Sequence, residues 1–303
     1  MATPKSWIKA ARPRTLPLAL SGIIMGCGLA WFYGVIDPTV SLLAIITATL
    51  IQVFSNFAND YGDSQRGTDN EFRLGPTRTV QSGEISKKEM ETGMIVVGGL
   101  SFLSGLWLVY AGTWHHSKPA FFGFTGLGIL SLIAAYFYTA GKKSYGYIGL
   151  GDLFVFLFFG LLPVPGVFYL NAGFLPASVF LPALSIGFFS TGVLNLNNTR
   201  DIENDRNSGK ITIPVRIGAR NARFYHLTMI FSGWVVALIF TLNHFHSLWQ
   251  FIYWIIFPIF MFDLHKIFHT RNDKALDPFL KKLALSTLAF TLLFCIGLLI
   301  SVK

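Results

Sequence analysis

The stretch Asn56-Phe57-Ala58-Asn59-Asp60-Tyr61-Gly62-Asp63 closes a long apolar run with amides and carboxylates, and continues to Gly67-Thr68-Asp69. A second stretch, Asn197-Asn198-Thr199-Arg200-Asp201-Ile202-Glu203-Asn204-Asp205-Arg206, closes another apolar run in the same way. Everything around them is greasy. Of 303 residues, 52% are hydrophobic and only 13% charged, against about 25% charged in a soluble domain. Apolar stretches recur at lengths near the roughly 20 residues that cross a bilayer as a helix. The expected fold is all-α: a polytopic bundle of nine transmembrane helices with a chamber facing the cytoplasm. Ionisable groups at membrane depth are costly, so two clusters of them mark function by default.

Nine spans are read at about 16–36, 39–58, 90–112, 120–140, 148–170, 176–198, 223–243, 247–265 and 279–301. Pro163 and Pro165 fall inside the fifth, which predicts a kink whose freed carbonyls are satisfied by neighbours. With nine spans, 22 of the 24 Lys and Arg residues lie on one side, leaving Lys118 and Lys303 on the other. Basic loops stay in the cytoplasm. The N-terminus is therefore expected inside, the C-terminus outside, and both acidic clusters at the cytoplasmic face of the cell's inner or plasma membrane. The same distribution explains the +9 net charge without nucleic acid. The polar segment before the first span, with Lys5, Lys9, Arg12 and Arg14, leads into an apolar run without a clear cleavage site. It reads as the start of a membrane helix, not a signal peptide. One domain covers 1–303. It reads as two similar halves, about 16–140 and 148–265, with a last helix at 279–301. That pattern is compatible with a repeat about an axis along the membrane normal.

The residue types in the clusters point to a metal-held phosphate. Asn59 and Asp63 are four apart and share one helix face, with Asn56 and Asp60 as a second such pair beside them. Asp201 and Asp205 repeat the spacing, with Asn197 and Asn198 one turn earlier. Like carboxylates repel unless a cation lies between them. Hard oxygen ligands suit Mg²⁺ better than zinc, and Mg²⁺ fills its remaining positions with water and substrate phosphate. The expected metal set is Asn59, Asp63, Asp69, Asp201 and Asp205, with Asn56, Asp60, Asn197 and Asn198 as further candidates. Arg73, Arg78, Arg200 and Lys210 are candidates for the phosphate oxygens, Arg as a fork and Lys as a point charge. A helix cap needs one such residue, not five. Cys27 and Cys295 lie in apolar segments without metal or disulfide spacing. His244 and His246 read as surface histidines of a short outer loop. Tyr61, Tyr136, Tyr138, Tyr145 and Tyr147 read mostly as interfacial aromatics.

At Asn59-x-x-x-Asp63 … Asp69 and Asp201-x-x-x-Asp205 the chain resembles the UbiA superfamily of intramembrane prenyltransferases, over nearly its whole length. Ala11-Arg12-Pro13-Arg14-Thr15-Leu16-Pro17 and Asn197-Asn198-x-Arg200-Asp201 resemble the branch that prenylates 1,4-dihydroxy-2-naphthoate. The step from Asp63 to Asp69 is longer than in the broader family. The resemblance implies that a polyprenyl diphosphate donates its chain to the naphthoate ring with loss of CO₂, giving demethylmenaquinone. It implies two Mg²⁺ ions, replaceable by Mn²⁺, and catalytic roles for Asp63, Asp201, Asp205, Arg78 and Lys210. Other family acceptors, 4-hydroxybenzoate, homogentisate or a tetrapyrrole, are the nearest alternatives. A cation-coupled transporter is the alternative of another class. Its sites would be expected near the bilayer midplane, not at the cytoplasmic ends of spans 2 and 6.

Overall fold

The computed structural model describes residues 2–67, 74–141, 144–270 and 273–301. Those residues form helices α1 (Pro4–Ala11), α2 (Leu16–Phe32), α3 (Pro38–Arg66), α4 (Lys87–Thr113), α5 (Lys118–Phe137) and α6 (Gly151–Phe156). They continue as α7 (Pro163–Ala172), α8 (Phe180–Arg200), α9 (Ile202–Asn207), α10 (Ile213–Asn243), α11 (Phe257–His269) and α12 (Asp277–Ser301). No strand occurs among the described residues. Nine segments among them are long and apolar enough to cross a membrane, and the chain is a multi-pass membrane protein.

Local chemistry sets the helix starts. Asp37 accepts hydrogen bonds from the N–H groups of Thr39 and Val40, with Pro38 in the first turn. Ser86 and Glu89 form a reciprocal capping box at α4. Ser117 and Thr212 cap α5 and α10, each followed by an early proline. Several spans differ from the sequence-based limits. The first ends at Phe32, four residues before 36, because Gly34 turns the chain with φ of 70°. The second does not end at 58. It runs on to Arg66, so Asn56–Asp63 of the first acidic cluster ride on roughly the last three turns of a transmembrane helix. The seventh starts ten residues before 223, at Ile213, and is broken at Gly218 (φ 80°, ψ 159°). In the eighth, Leu248–Ile256 is wound as 3₁₀ turns.

The kink expected at Pro163 is a π-turn, Leu157–Leu161, between α6 and α7. Leu162 N–H reaches back to Leu157 C=O at 2.8 Å. Proline has no N–H to offer the carbonyl four residues back, here Phe159. That carbonyl is turned toward α2, where a Cβ on Gly22 would lie 2.7 Å from it. Small residues let membrane helices approach this closely. The π-turn and α8 also approach closely, backbone against backbone. A Cβ on Gly160 would lie 2.5 Å from Ala183 C=O and 2.6 Å from the Gly187 Cα.

A large apolar core unites α2, α7, α8, α10, α11 and α12, with Phe189, Trp234, Tyr253, Phe290 and Phe294 among its buried rings. A smaller cluster around Phe57, Ile85 and Met90 joins α3, α4 and the N-terminal α1. Helix α5 stands apart. It leans on α3 and α4, and only Ala134 in it is buried. Gly160→Val should therefore lower the thermal midpoint of the detergent-solubilised protein, costing about 1–3 kcal/mol by overpacking. Gly126→Ala, whose added Cβ meets nothing, should leave the midpoint unchanged or raise it.

Candidate active site

One cavity, about 450 Å³ in volume, reaches both acidic clusters. Its polar pole is lined from α3 by Asn56, Asn59 and Asp63, and from the following loop by Arg78. From the α8–α9 segment and the loop after it come Asn197, Asp201, Asp205 and Lys210. The α3 and α8–α9 clusters, far apart in sequence, thus face one space. Beyond them the walls are apolar, built from α2, α3, α4, α5 and the α6–α7 span. Arg12, Arg14 and Thr15 also line it, from the elbow that joins α1 to α2.

Each carboxylate meets a partner. Asp63 Oδ1 accepts a hydrogen bond from Tyr147 Oη at 2.8 Å, and the Arg66 guanidinium lies over the same tyrosine ring, 4.4 Å from its centre. Asp201 is gripped at both oxygens by Arg200, whose remaining nitrogen pairs with Asp277. Arg200 also donates to Asn197 Oδ1 at 3.0 Å. Asp205 Oδ1 sits 3.4 Å from Lys210 Nζ. Burial pushes the Asp205 carboxyl up to about 6. Lys210 pulls it down, and the nearby charges of Asp201 and Asp63 push it up further.

Asp60 points elsewhere. It is buried, does not line the cavity, and accepts from Thr79 N–H at 3.1 Å and Thr79 Oγ1 at 2.6 Å. That contact pins the loop carrying Arg78 to α3. Asn56 lines the cavity, yet its amide is spent on the α1–α2 elbow. It donates to Ala11 C=O at 2.9 Å and Thr15 Oγ1 at 3.0 Å. Asn59 accepts from Thr139 Oγ1 at 3.2 Å. Arg200 and Asn198 are buried off the cavity, so Arg200 reaches a ligand only through Asp201. Asp69 and Arg73 lie outside the described residues. Sequence reasoning missed Thr79 and Asp277 as partners, and it gave Tyr147 no role beyond the interface. All three act across long sequence separations, and none carries a local spacing signal.

The donor set is all oxygen. Asp205 Oδ2 is buried and without a hydrogen-bond partner, which fits a cation-seeking group in a space that already holds three carboxylates. Among the described residues no three His, Cys, Asp or Glu side chains close around a single ion. Mg²⁺ takes one or two protein carboxylates and completes its shell with water and phosphate, and the all-oxygen donor set of this pole can supply them.

The chain matches the model of the UbiA prenyltransferase family over residues 19–294. It belongs to that family. It is 43% identical to the 1,4-dihydroxy-2-naphthoate octaprenyltransferase of Escherichia coli (strain K12), over 98% of this chain and 96% of that one. It is 40% identical to the enzyme of the same name from Haemophilus influenzae, over the same shares. Among solved structures, a UbiA homolog from Archaeoglobus fulgidus bound to GPP and Mg²⁺ superposes with a TM-score of 0.62 at 15% identity, covering 95% of this chain and 99% of that one. At that identity the likeness is one of fold, and the UbiA fold is what the nine spans make.

The Asp60–Thr79 clamp gives a direct test. Thr79→Val keeps the N–H and removes the hydroxyl that the buried carboxylate accepts from. Loss of a hydrogen bond to a charged group costs about 1.5–3 kcal/mol, so the thermal midpoint should fall. Thr79→Ser should hold it. A valine variant melting with the wild type would show that the hydroxyl contributes nothing.

Proposed function

We propose that this UbiA-family enzyme transfers a polyprenyl chain from polyprenyl diphosphate to 1,4-dihydroxy-2-naphthoate, releasing CO₂ and diphosphate and giving demethylmenaquinol, the two-electron-reduced form of demethylmenaquinone. The observation that carries the reading is a carboxylate pole opening into a long apolar cavity, in a chain over 40% identical to an enzyme named for that naphthoate. The acids and the cavity suit opposite ends of one donor, a charged head and a hydrocarbon tail.

Asp63, Asp201 and Asp205, helped by Asn59, are the residues that would hold two Mg²⁺ ions, with Mn²⁺ able to replace them. Bound there, the metal neutralises charge on the departing diphosphate. Arg78 and Lys210 line the same pole and meet diphosphate oxygens. Arg200 works from behind, fixing the Asp201 carboxylate. The bond that breaks joins the allylic carbon to the diphosphate oxygen, and the bond that forms joins that carbon to the naphthoate ring. The ring sheds its carboxylate as CO₂. The walls of Leu, Ile, Val and Phe keep water from the allylic cation, which water would otherwise capture.

Purified protein given octaprenyl diphosphate should prenylate the naphthoate, and should leave 4-hydroxybenzoate and homogentisate largely untouched. Turnover should need Mg²⁺ or Mn²⁺, and zinc should serve poorly. Full turnover after metal stripping in excess EDTA would remove the metal from the mechanism. Asp63→Ala and Asp201→Asn should each cut the rate more than tenfold, at least 1.4 kcal/mol in barrier. The asparagine is chosen at 201 because alanine would strand the buried Arg200.

The acids open to the cytoplasmic side in this reading, where a soluble naphthoate arrives; the support is the 22-of-24 split of Lys and Arg. In a Cys27→Ala, Cys295→Ala background, single cysteines replace Ser64, Ser208, Ser117 or Ser247. A membrane-impermeant thiol reagent outside intact cells should label positions 117 and 247 only. Outside labelling at 64 or 208 would overturn the orientation.

A further inference from the structure

Most glycines in the spans are explained by close packing. A Cβ at Gly22, Gly26, Gly112, Gly160 or Gly297 would collide with the backbone of a neighbouring helix. Three cavity-lining glycines differ: Gly105 on α4, Gly128 on α5 and Gly166 on α7. At Gly128 an added Cβ meets nothing within 4 Å. At Gly105 and Gly166 it meets only a side-chain carbon, Thr47 Cγ2 at 3.5 Å and Phe124 Cε1 at 3.7 Å. None of the three has a positive φ. Neither backbone conformation nor helix contact calls for glycine there, and each glycine costs a helix about 1 kcal/mol against alanine. Gly99, Gly123 and Gly126 are as open but lie off the cavity; what sets Gly105, Gly128 and Gly166 apart is that they line it.

They also share a depth. On α3 the cavity is lined from Asp63 back to Ala44, roughly 28 Å at 1.5 Å per residue. Gly105 sits beside Thr47, twelve residues from Asn59, and so lies about 18 Å beyond Asn59 on that scale. On α5, Thr139 is at the level of Asn59 through its hydrogen bond. Gly128 is eleven residues further on, about 16 Å. Gly166 faces Phe124, one turn deeper again. All three lie in the outer half, far from the carboxylates.

We propose that Gly105, Gly128 and Gly166 set the bore of the far half of the cavity and thereby the length of prenyl chain accepted as donor. The inference rests on the prenyl-transfer reading above. A short chain ends before these glycines, while a long one must pass them. Filling the bore therefore penalises long donors selectively and leaves the diphosphate site intact.

The test compares kcat/KM for octaprenyl diphosphate, with eight isoprene units, and geranyl diphosphate, with two, at saturating naphthoate and Mg²⁺. Gly105→Phe and Gly128→Phe should each lower the octaprenyl-to-geranyl ratio at least tenfold, with geranyl turnover kept as the measure of a folded, competent site. Gly123→Phe is the control. Its added Cβ also meets nothing, but Gly123 does not line the cavity, so the ratio should stay at the wild-type value. An unchanged ratio in both cavity variants overturns the proposal. So does an equal fall for both donors, or the same fall in Gly123→Phe. Wild-type protein that prenylates the naphthoate with neither donor would instead defeat the prenyl-transfer reading, and this inference with it.

Discussion

A carboxylate cannot face hydrocarbon, and the architecture follows from how the four buried ones of the two acidic clusters are kept. Removing an ionised group from water costs several kcal/mol unless hydrogen bonds or counter-charges replace the hydration. Asp60 has Thr79, Asp63 has Tyr147, Asp201 has Arg200 and Asp205 has Lys210. Every partner comes from a loop or helix end on the side where the basic residues collect. The loops are therefore not free connectors. Their side chains complete the solvation of acids carried by the spans, and the acids in turn hold the loops over the cavity mouth. In Arg200 the arrangement has a second layer. Its own burial is tolerable because Asp277, at the start of the last helix, shares the charge.

The spans meet two opposed demands with the same residue type. Around Gly160 and Gly187 the π-turn and α8 must touch, since dispersion between close backbones holds helices together where lipid offers no hydrophobic drive. Gly105 and Gly128 instead face the cavity. Helix α5 packs chiefly on α3 and α4 and reaches the α6–α7 span through Phe124, whose ring stacks on Tyr169. The π-turn belongs to the same solution. It absorbs Pro163, and it brings the Phe159 carbonyl against the bare face of Gly22, fixing α6–α7 to α2 on the side away from α5.

Much of this was legible in the sequence, because bilayer thickness and backbone satisfaction leave few options. Nine apolar runs of the right length became nine spans, and the prolines in the fifth became a kink. Part of each Asp and Asn cluster lines one cavity. The sequence was silent on which oxygen points where. Spacing places Asn56 and Asp60 beside Asn59 and Asp63 on one helix, yet on α3 the four side chains diverge. Asn59 and Asp63 line the cavity, Asn56 is tied to the α1–α2 elbow, and Asp60 turns to Thr79. The division depends on partners 19 to 84 residues away, which no local pattern encodes. Helix ends were misjudged for a related reason. A hydropathy run stops at the first polar residue, whereas α3 continues through two polar turns because the protein, not lipid, surrounds them.

Tyr147 shows how the two clusters are coupled. Its hydroxyl donates to Asp63 in the first cluster, while its carbonyl accepts from Ile211 N–H at 2.9 Å, one residue past Lys210. The Arg66 guanidinium covers its ring from the end of α3, and the Lys210 ammonium stands 6.0 Å from the ring centre. One residue from the loop before α6 thus links a carboxylate of the first cluster to the loop holding the lysine of the second. A substrate that bridges both clusters needs their spacing fixed before it binds, because the entropy of fixing it afterwards would be drawn from binding. Helix packing alone does not tie these two groups. The tyrosine, its ring clamped by a cation and both its polar groups occupied, does.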